Sequence, residues 1–362
     1  MYGDGGVIVS VLPFYLVFLV PVSVLAGYRL GGPFTFLTPI IVFGIIPFVD
    51  FIVGVSKRNP TQEEELKYKD TLSFKLIPML CAPVQVVVVL WGAYVVSQGT
   101  MTSTEITGFV FSVGTSSGIV GINISHELQH RVNAKLEPFL ARLMLWTVFY
   151  LHWAIEHIAG HHRNVATGED PATARIGESF YAFWPRTVFG GFRSAWSIER
   201  KRLKKKDQRL WGFHNRIIIY LLAEMVLLVC LGAVFGPGAG VYFIMQSLIA
   251  LSLLEVVNYI EHYGLLRTID DRGTYERVNL QHSWNASNYL TNRFLVNLQR
   301  HSDHHARPDR RYQLLRHHDE SPQLPTGYAG MILLALIPPL WRKVMDPMAA
   351  RYRHAGQNRS AV

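Results

Sequence analysis

Pro138-Phe139-Leu140-Ala141-Arg142-Leu143-Met144-Leu145-Trp146-Thr147-Val148-Phe149-Tyr150-Leu151-His152-Trp153-Ala154-Ile155 forms the core of an apolar run, 137–157, long enough to cross a bilayer. Whether it crosses sets the side of the membrane on which the rest of the chain lies. Six further apolar runs occur at about 7–27, 33–55, 75–97, 104–125, 216–236 and 240–260, each near the ~20 residues that a hydrocarbon core requires. The loops between them carry charge asymmetrically. Tyr28-Arg29-Leu30-Gly31-Gly32 holds one positive residue; Ser97-Gln98-Gly99-Thr100 and Gly236-Pro237-Gly238-Ala239-Gly240 hold none. Lys57, Arg58, Lys67, Lys69 and Lys75, the run Arg200 to Lys206 and the Arg-rich C-terminal third fall on the other side. Excess positive charge marks the cytoplasmic face, so both termini and the large loops are expected there, and six spans satisfy this. A seventh span at 137–157 would carry 200–206 outward. It would also separate His157, His161 and His162 from His126 and His130. We therefore read 137–157 as a helix buried in protein or lying at the interface.

The composition agrees with a membrane domain. Of 362 residues, 49% are hydrophobic and 17% charged, against roughly 25% charged in a typical soluble domain. The expected architecture is an all-α membrane protein: one integral domain, 1–362, with six transmembrane helices. A cytoplasmic helical cap would be built from 126–215 and 261–362. The formal charge of +9 follows the membrane asymmetry and anionic headgroups, and no nucleic-acid partner is expected. Cys81 and Cys230 are far apart in apolar stretches, which excludes a disulfide framework and a four-thiolate iron site. Residues 1–6 are not basic and the first apolar run exceeds a signal h-region, so no cleavable signal peptide is expected.

Histidine is the residue type that points to chemistry. The chain has 15, and nine fall into four groups. His126-Glu127-Leu128-Gln129-His130 closes the fourth span, with i, i+4 spacing that puts both imidazoles on one helix face. His157-Ile158-Ala159-Gly160-His161-His162 repeats that spacing. His262 ends the sixth span in Asn258-Tyr259-Ile260-Glu261-His262-Tyr263-Gly264. In Leu298-Gln299-Arg300-His301-Ser302-Asp303-His304-His305, three imidazoles are related as i, i+3 and i+4. Taken alone, the first group resembles the zinc-peptidase HExxH pattern. Nine imidazoles exceed what one metal takes, whereas two metals with four or five ligands each account for all of them. Neutral imidazoles with open positions suit iron that must bind oxygen, so a di-iron centre is expected. Glu127, Glu156, Glu261 and Asp303 adjoin these histidines; Asn258 lies one turn before His262, and Asp170 follows the second group. Each is a candidate acceptor for an imidazole N–H.

With those four groups in place, the chain resembles the AlkB-type alkane 1-monooxygenases. Their three histidine boxes correspond to His126-Glu127-Leu128-Gln129-His130-Arg131, Glu156-His157-Ile158-Ala159-Gly160-His161-His162-Arg163-Asn164-Val165-Ala166-Thr167 and Leu298-Gln299-Arg300-His301-Ser302-Asp303-His304-His305-Ala306. Their family-specific element corresponds to Asn258-Tyr259-Ile260-Glu261-His262-Tyr263-Gly264-Leu265. Gly168 follows Thr167 where many members carry proline. The resemblance covers nearly the whole chain. It implies a multi-pass enzyme of the bacterial inner membrane with two non-haem Fe ions. Such an enzyme turns n-alkanes into 1-alkanols with O2 and two electrons from rubredoxin. Rubredoxin would be a separate protein, reduced by an NAD(P)H-dependent rubredoxin reductase.

An alkane offers nothing to grip but burial, at roughly 0.8 kcal/mol per CH2. An apolar channel ending below the histidines is therefore expected, its length set by bulky residues of the first four spans. Lys204, Lys205, Arg307, Arg310 and Arg311 on the basic rim are candidates for docking an acidic donor. The alternative within the same superfamily is a fatty acyl desaturase or lipid hydroxylase. A zinc peptidase would hold one zinc and need no O2. A metal transporter would carry ionisable residues deep in the spans, and this chain has few.

Overall fold

The structure, a computed structural model, describes residues 10–359; positions 7–9 of the first expected span lie outside them. The described residues are helical, with three isolated β-bridges and no strand. Six helices are long and apolar enough to cross a bilayer: α1 (Leu12–Leu30), α2 (Gly32–Val53), α3 (Leu72–Ser97), α4 (Ser103–Gln129), and, after an intervening region, α8 (Arg216–Phe235) and α9 (Pro237–His262). Their ends differ from the hydropathy runs by a few residues, most at α1, where the helix opens with Pro13 in a tight 3-10 turn.

The deciding stretch does not span. α5 (Leu136–Trp146) stops after 11 residues. The chain then turns through Phe149, at φ 56°, into a second helical piece, α6, over 153–164. Neither piece approaches bilayer length. An amphipathic helix, α7 (Phe180–Lys205), packs across α6, α8 and α9. Three short helices complete the cap: α10 (Tyr289–Phe294), α11 (His301–Ala306) and α12 (Tyr328–Ala335). α12 bends by 120° into α13 (Pro338–Arg359). Counted as one broken pair, α12 and the following Pro338–Tyr352 would add a seventh apolar crossing, a feature the hydropathy runs did not include.

Buried polar side chains hold these elements in register. Gln85 of α3 donates to Ser117 of α4 (2.9 Å) and to Thr147 beyond α5 (3.1 Å). Ser117 in turn donates to Gln246 of α9 (2.9 Å). Asp50, near the end of α2, accepts the Leu290 and Thr291 amides at the start of α10. A cap segment is thereby clasped to a span. Glu105, in the capping box of α4, also accepts the Gly32 amide at 2.7 Å. Gly31 and Gly32 there adopt φ 68° and 54°, which lets α1 reverse into α2 within two residues.

Three spans or caps contain π turns, at Ile41–Ile45, Ser117–Asn123 and His157–His161. The first immediately precedes Pro47, whose ring and missing N–H are incompatible with a regular bond to the Phe43 carbonyl. All three turns face the same place.

Candidate metal centre

The nine histidines meet in two groups. His126, His130, His157, His162 and His304 form one; His161, His262, His301 and His305 form the other. All nine are buried except His130 and His162, which are half-buried. His126 and His130 stand together, as i, i+4 positions on a regular helix should. The second histidine segment behaves differently. Its π turn closes i→i+5 bonds, so His157 pairs with His162, Nε2 to Nε2 at 3.1 Å. His161 is turned into the other group. The helix α11 divides too: His301 and His305 join the second group and His304 the first. The three-residue face read from the spacing therefore serves two centres.

The nitrogen separations carry the chemical argument. In the first group, Nε2 atoms lie 3.1 Å (His130–His157), 3.1 Å (His157–His162) and 3.3 Å (His162–His304) apart. In the second, they lie 3.3 Å (His262–His301) and 2.9 Å (His301–His305) apart. Burial, reinforced by neighbouring imidazoles, holds His130, His157, His162, His301, His304 and His305 well below the usual imidazole range. They are neutral, the form that binds metal. One Nε2–H can bridge a single such contact, but the Nε2 atoms of His157 and His301 each face two others, and the buried Nε2 of His126 has no hydrogen-bond partner at all. A cation resolves both problems. A metal–imidazole bond of about 2.1 Å puts ligands at right angles about 3.0 Å apart and ligands at the tetrahedral angle about 3.4 Å apart. The observed separations, 2.9 to 3.3 Å, lie within about 0.1 Å of that interval, so the residues fit two metal ions.

The neighbours of the histidines are more selective than the sequence suggested. Asp170 accepts from His161 Nδ1 at 3.0 Å, leaving Nε2 for the group. It is itself oriented by Thr173 (2.7 Å) and the Ala172 amide (3.0 Å). Burial opposes charge on His161, but the Asp170 carboxylate outweighs it and holds the imidazole above its usual range. Glu261 approaches His301 Nε2 at 3.2 Å and accepts from Tyr328 at 2.7 Å. The other four candidates do not bond to an imidazole of either group. Glu127 pairs with Arg131 at 2.7 Å. Asn258 donates to Glu255 at 3.1 Å. Asp303 accepts from Arg310 at 2.6 and 2.8 Å and from the Arg316 amide at 2.9 Å, bracing the segment after α11. Glu156 lies against Gly160, where a Cβ would meet its Oε1 at 2.5 Å. That glycine leaves room for the Glu156 carboxylate and for Ser194 of α7.

Several contributors were not singled out from the sequence. Trp153 stacks on His157, with centroids 4.4 Å apart; its position one helical turn earlier is the available signal. Tyr328, 67 positions beyond Glu261 in sequence, has none. Of the remaining histidines, His152 packs on Tyr150 and Phe192, His282 meets Glu276, and His317 and His318 meet Asp319 and Asp303. On the rim, Lys204, Lys205 and Arg307 are exposed. Arg310 and Arg311 are instead committed to Asp303 and Glu137 (2.9 Å).

Against both groups lies a largely apolar chamber. Ile46, Ile119, Ile122, Leu254, Val257 and Phe294 contribute apolar walls, and His126, His157, His161 and His301 face into it. Each π turn supplies part of its lining.

The family model for fatty acid desaturases matches residues 105–335. The chain is 42% identical to alkane 1-monooxygenase 2 of Pseudomonas aeruginosa, over 88% of this chain and 84% of that protein. It is 41% identical to alkane 1-monooxygenase of Acinetobacter baylyi, over 91% and 81%. It is 39% identical to alkane 1-monooxygenase 2 of Alcanivorax borkumensis, over 92% and 88%.

Proposed function

The chain belongs to the alkane 1-monooxygenases, within the fatty acid desaturase family, and from that membership we propose that it hydroxylates the terminal carbon of medium- and long-chain n-alkanes at two non-haem irons. The net reaction takes an n-alkane, O2, two electrons and two protons to a 1-alkanol and water. The observation that carries this reading is the chamber: a space with apolar walls that meets residues of both histidine groups. A C–H bond with no polar neighbour is positioned by burial and shape alone.

His126, His130, His157, His162 and His304 would hold one iron, and His161, His262, His301 and His305 the other. Iron bound there supplies O2 activation and the oxidising equivalent for the C–H bond. The protein's own part is placement. Aliphatic walls exclude water and align the chain end with the histidines. Trp153 fixes the plane of His157 by stacking. Asp170 fixes the tautomer of His161. Electrons come from a separate rubredoxin, reduced by an NAD(P)H-dependent reductase. Lys204, Lys205 and Arg307 are the exposed positive groups for its docking; Arg310 and Arg311 brace the cap. The six spans lie in a bacterial inner membrane with both termini cytoplasmic.

An acyl desaturase or lipid hydroxylase would need a polar site for the head group, whereas the polar side chains lining the chamber beside the histidines, Asn123, Asn258, Glu261, Thr291 and Tyr328, engage other protein groups. The test is product analysis. Iron-loaded protein given rubredoxin, its reductase, NADH, isotopically labelled O2 and octane to hexadecane should yield labelled 1-alkanols. Unsaturated products from acyl chains, with alkanes untouched, would overturn the assignment.

A further inference from the structure

A second cavity lies beside the chamber. It is an open groove whose walls come mainly from α4, α9 and α12, with Phe43 and Pro39 of α2 at one edge. Its rim residues Val241, Leu333 and Leu336 are exposed apolar side chains on membrane-facing elements. The polar atoms along it are used internally. Thr107 donates to the Ser103 carbonyl, Tyr242 to the Val89 carbonyl, and Ser252 accepts from Trp184. Nothing in this groove is suited to a head group.

The groove and the chamber have three residues in common: Phe43, Leu253 and Ile332. Each is half-buried, as a side chain between lipid and an interior space should be. They come from three separate elements: the π turn of α2, the middle of α9, and α12. Leu253 is fixed from one side. A Cβ at Gly118 would meet its Cδ1 at 3.0 Å and its Cβ at 3.2 Å, so α4 and α9 approach closely there and Leu253 is wedged against the glycine. Ile332 is held less firmly. It belongs to an eight-residue helix at the edge of the bundle, followed by the 120° bend.

We propose that the alkane enters sideways from the bilayer through this groove, and that Leu253 and Ile332 form the gate between groove and chamber. The occupant is an unbranched alkyl chain. It already resides in the bilayer, because every methylene resists transfer into water. A path whose walls are predominantly apolar keeps it out of water until its end reaches the histidines. The cross-section of a linear chain is that of one methylene, so rotation of the Ile332 side chain on the nanosecond scale of rotamer exchange is enough to admit it. A branched or cyclic hydrocarbon needs backbone displacement of α12 as well. The gate thus selects linear chains before they meet the metal. This extends the alkane-hydroxylase reading by assigning the route and the residues that control it.

The test uses the full-length protein in lipid nanodiscs. A long-chain alkyl diazirine is photo-activated in the bilayer, and labelled peptides are mapped by mass spectrometry. In the wild type, label should appear both on groove residues such as Leu336 and on chamber residues such as Phe294. Leu253→Trp and Ile332→Trp should keep groove labelling and lose about tenfold of the chamber labelling, with bound metal at the wild-type level. Alkane turnover should fall by a similar factor. Val229→Trp, on the lipid face of α8, controls for added bulk and should change neither. If the tryptophan variants do not fold, Ile332→Cys in a Cys230→Ser background replaces them. Alkylation of that cysteine with an N-alkyl maleimide should close the chamber to the probe. Wild-type chamber labelling in the gate variants would overturn the proposal. Gate-dependent labelling in a protein that does not oxidise alkanes would uphold the gate and count against the functional reading instead.

Discussion

His161 and His162 are neighbours in sequence and belong to different histidine groups. The physical cause is one inserted residue of helical turn. In a regular α-helix, His157 and His161 would share a face; the π turn gives His157 to His162 and frees His161. Spacing alone puts His157 and His161 on one helix face and does not divide the histidines between the groups, because π geometry leaves no pattern in side-chain type. His126 and His130, on a regular helix, were read correctly as a pair. The same scale accounts for Asp170. Only this carboxylate and Glu261, of the six acceptors considered, reach an imidazole of the groups. The Asp170 link runs across a loop closed by Thr173, which sequence proximity does not encode. Asp170→Asn keeps the shape and removes the charge. We expect metal affinity to fall roughly 10–100-fold, measured by competition with a chelator, with little change in thermal stability of the metal-free protein.

Between elements, buried ion pairs and caps do the joining. Glu199 on α7 accepts from Arg202 at 2.7 and 2.8 Å and from Arg216 at the start of α8 at 2.6 and 3.0 Å, and also receives the Arg216 amide at 2.8 Å. It latches the cap helix to a span. Burial pushes this carboxyl up, but the hydrogen bonds from Arg202 and Arg216 more than offset it and bring it down to about 2 from an ordinary 4.5. A carboxyl lowered in the folded state contributes fully above its unfolded value and loses that contribution as pH falls through the folded one. The latch should therefore hold above about pH 4.5 and fail progressively toward pH 2. Glu199→Gln should lower stability by about 2 kcal/mol at neutral pH and flatten the acid side of the melting-temperature profile in detergent. An unchanged profile would show that the latch is not stabilising. The role of Asp50 belongs here too. A carboxylate near the end of a span reads from sequence as a group that snorkels to water. Its partners, the α10 amides, lie some 240 positions away.

Across the whole molecule, hydropathy and charge were enough to find six spans and to leave 137–157 out of them. Those signals depend on the solvent, which acts on each segment independently. What they could not show is how the segments meet. The bent pair α12–α13 is broken at Pro338, and its second half carries charged residues, so neither half reads as a span. Yet α12 supplies Tyr328 to Glu261 and Ile332 to the boundary between chamber and groove. The division of the histidines into two groups is likewise a property of assembly, since each group draws on three separate segments. The most direct test of the account is the metal-to-chain ratio of the purified protein, determined by mass spectrometry alongside quantitative amino-acid analysis. Two iron atoms per chain are predicted, one for each histidine group. One metal per chain, or a single zinc, would contradict it.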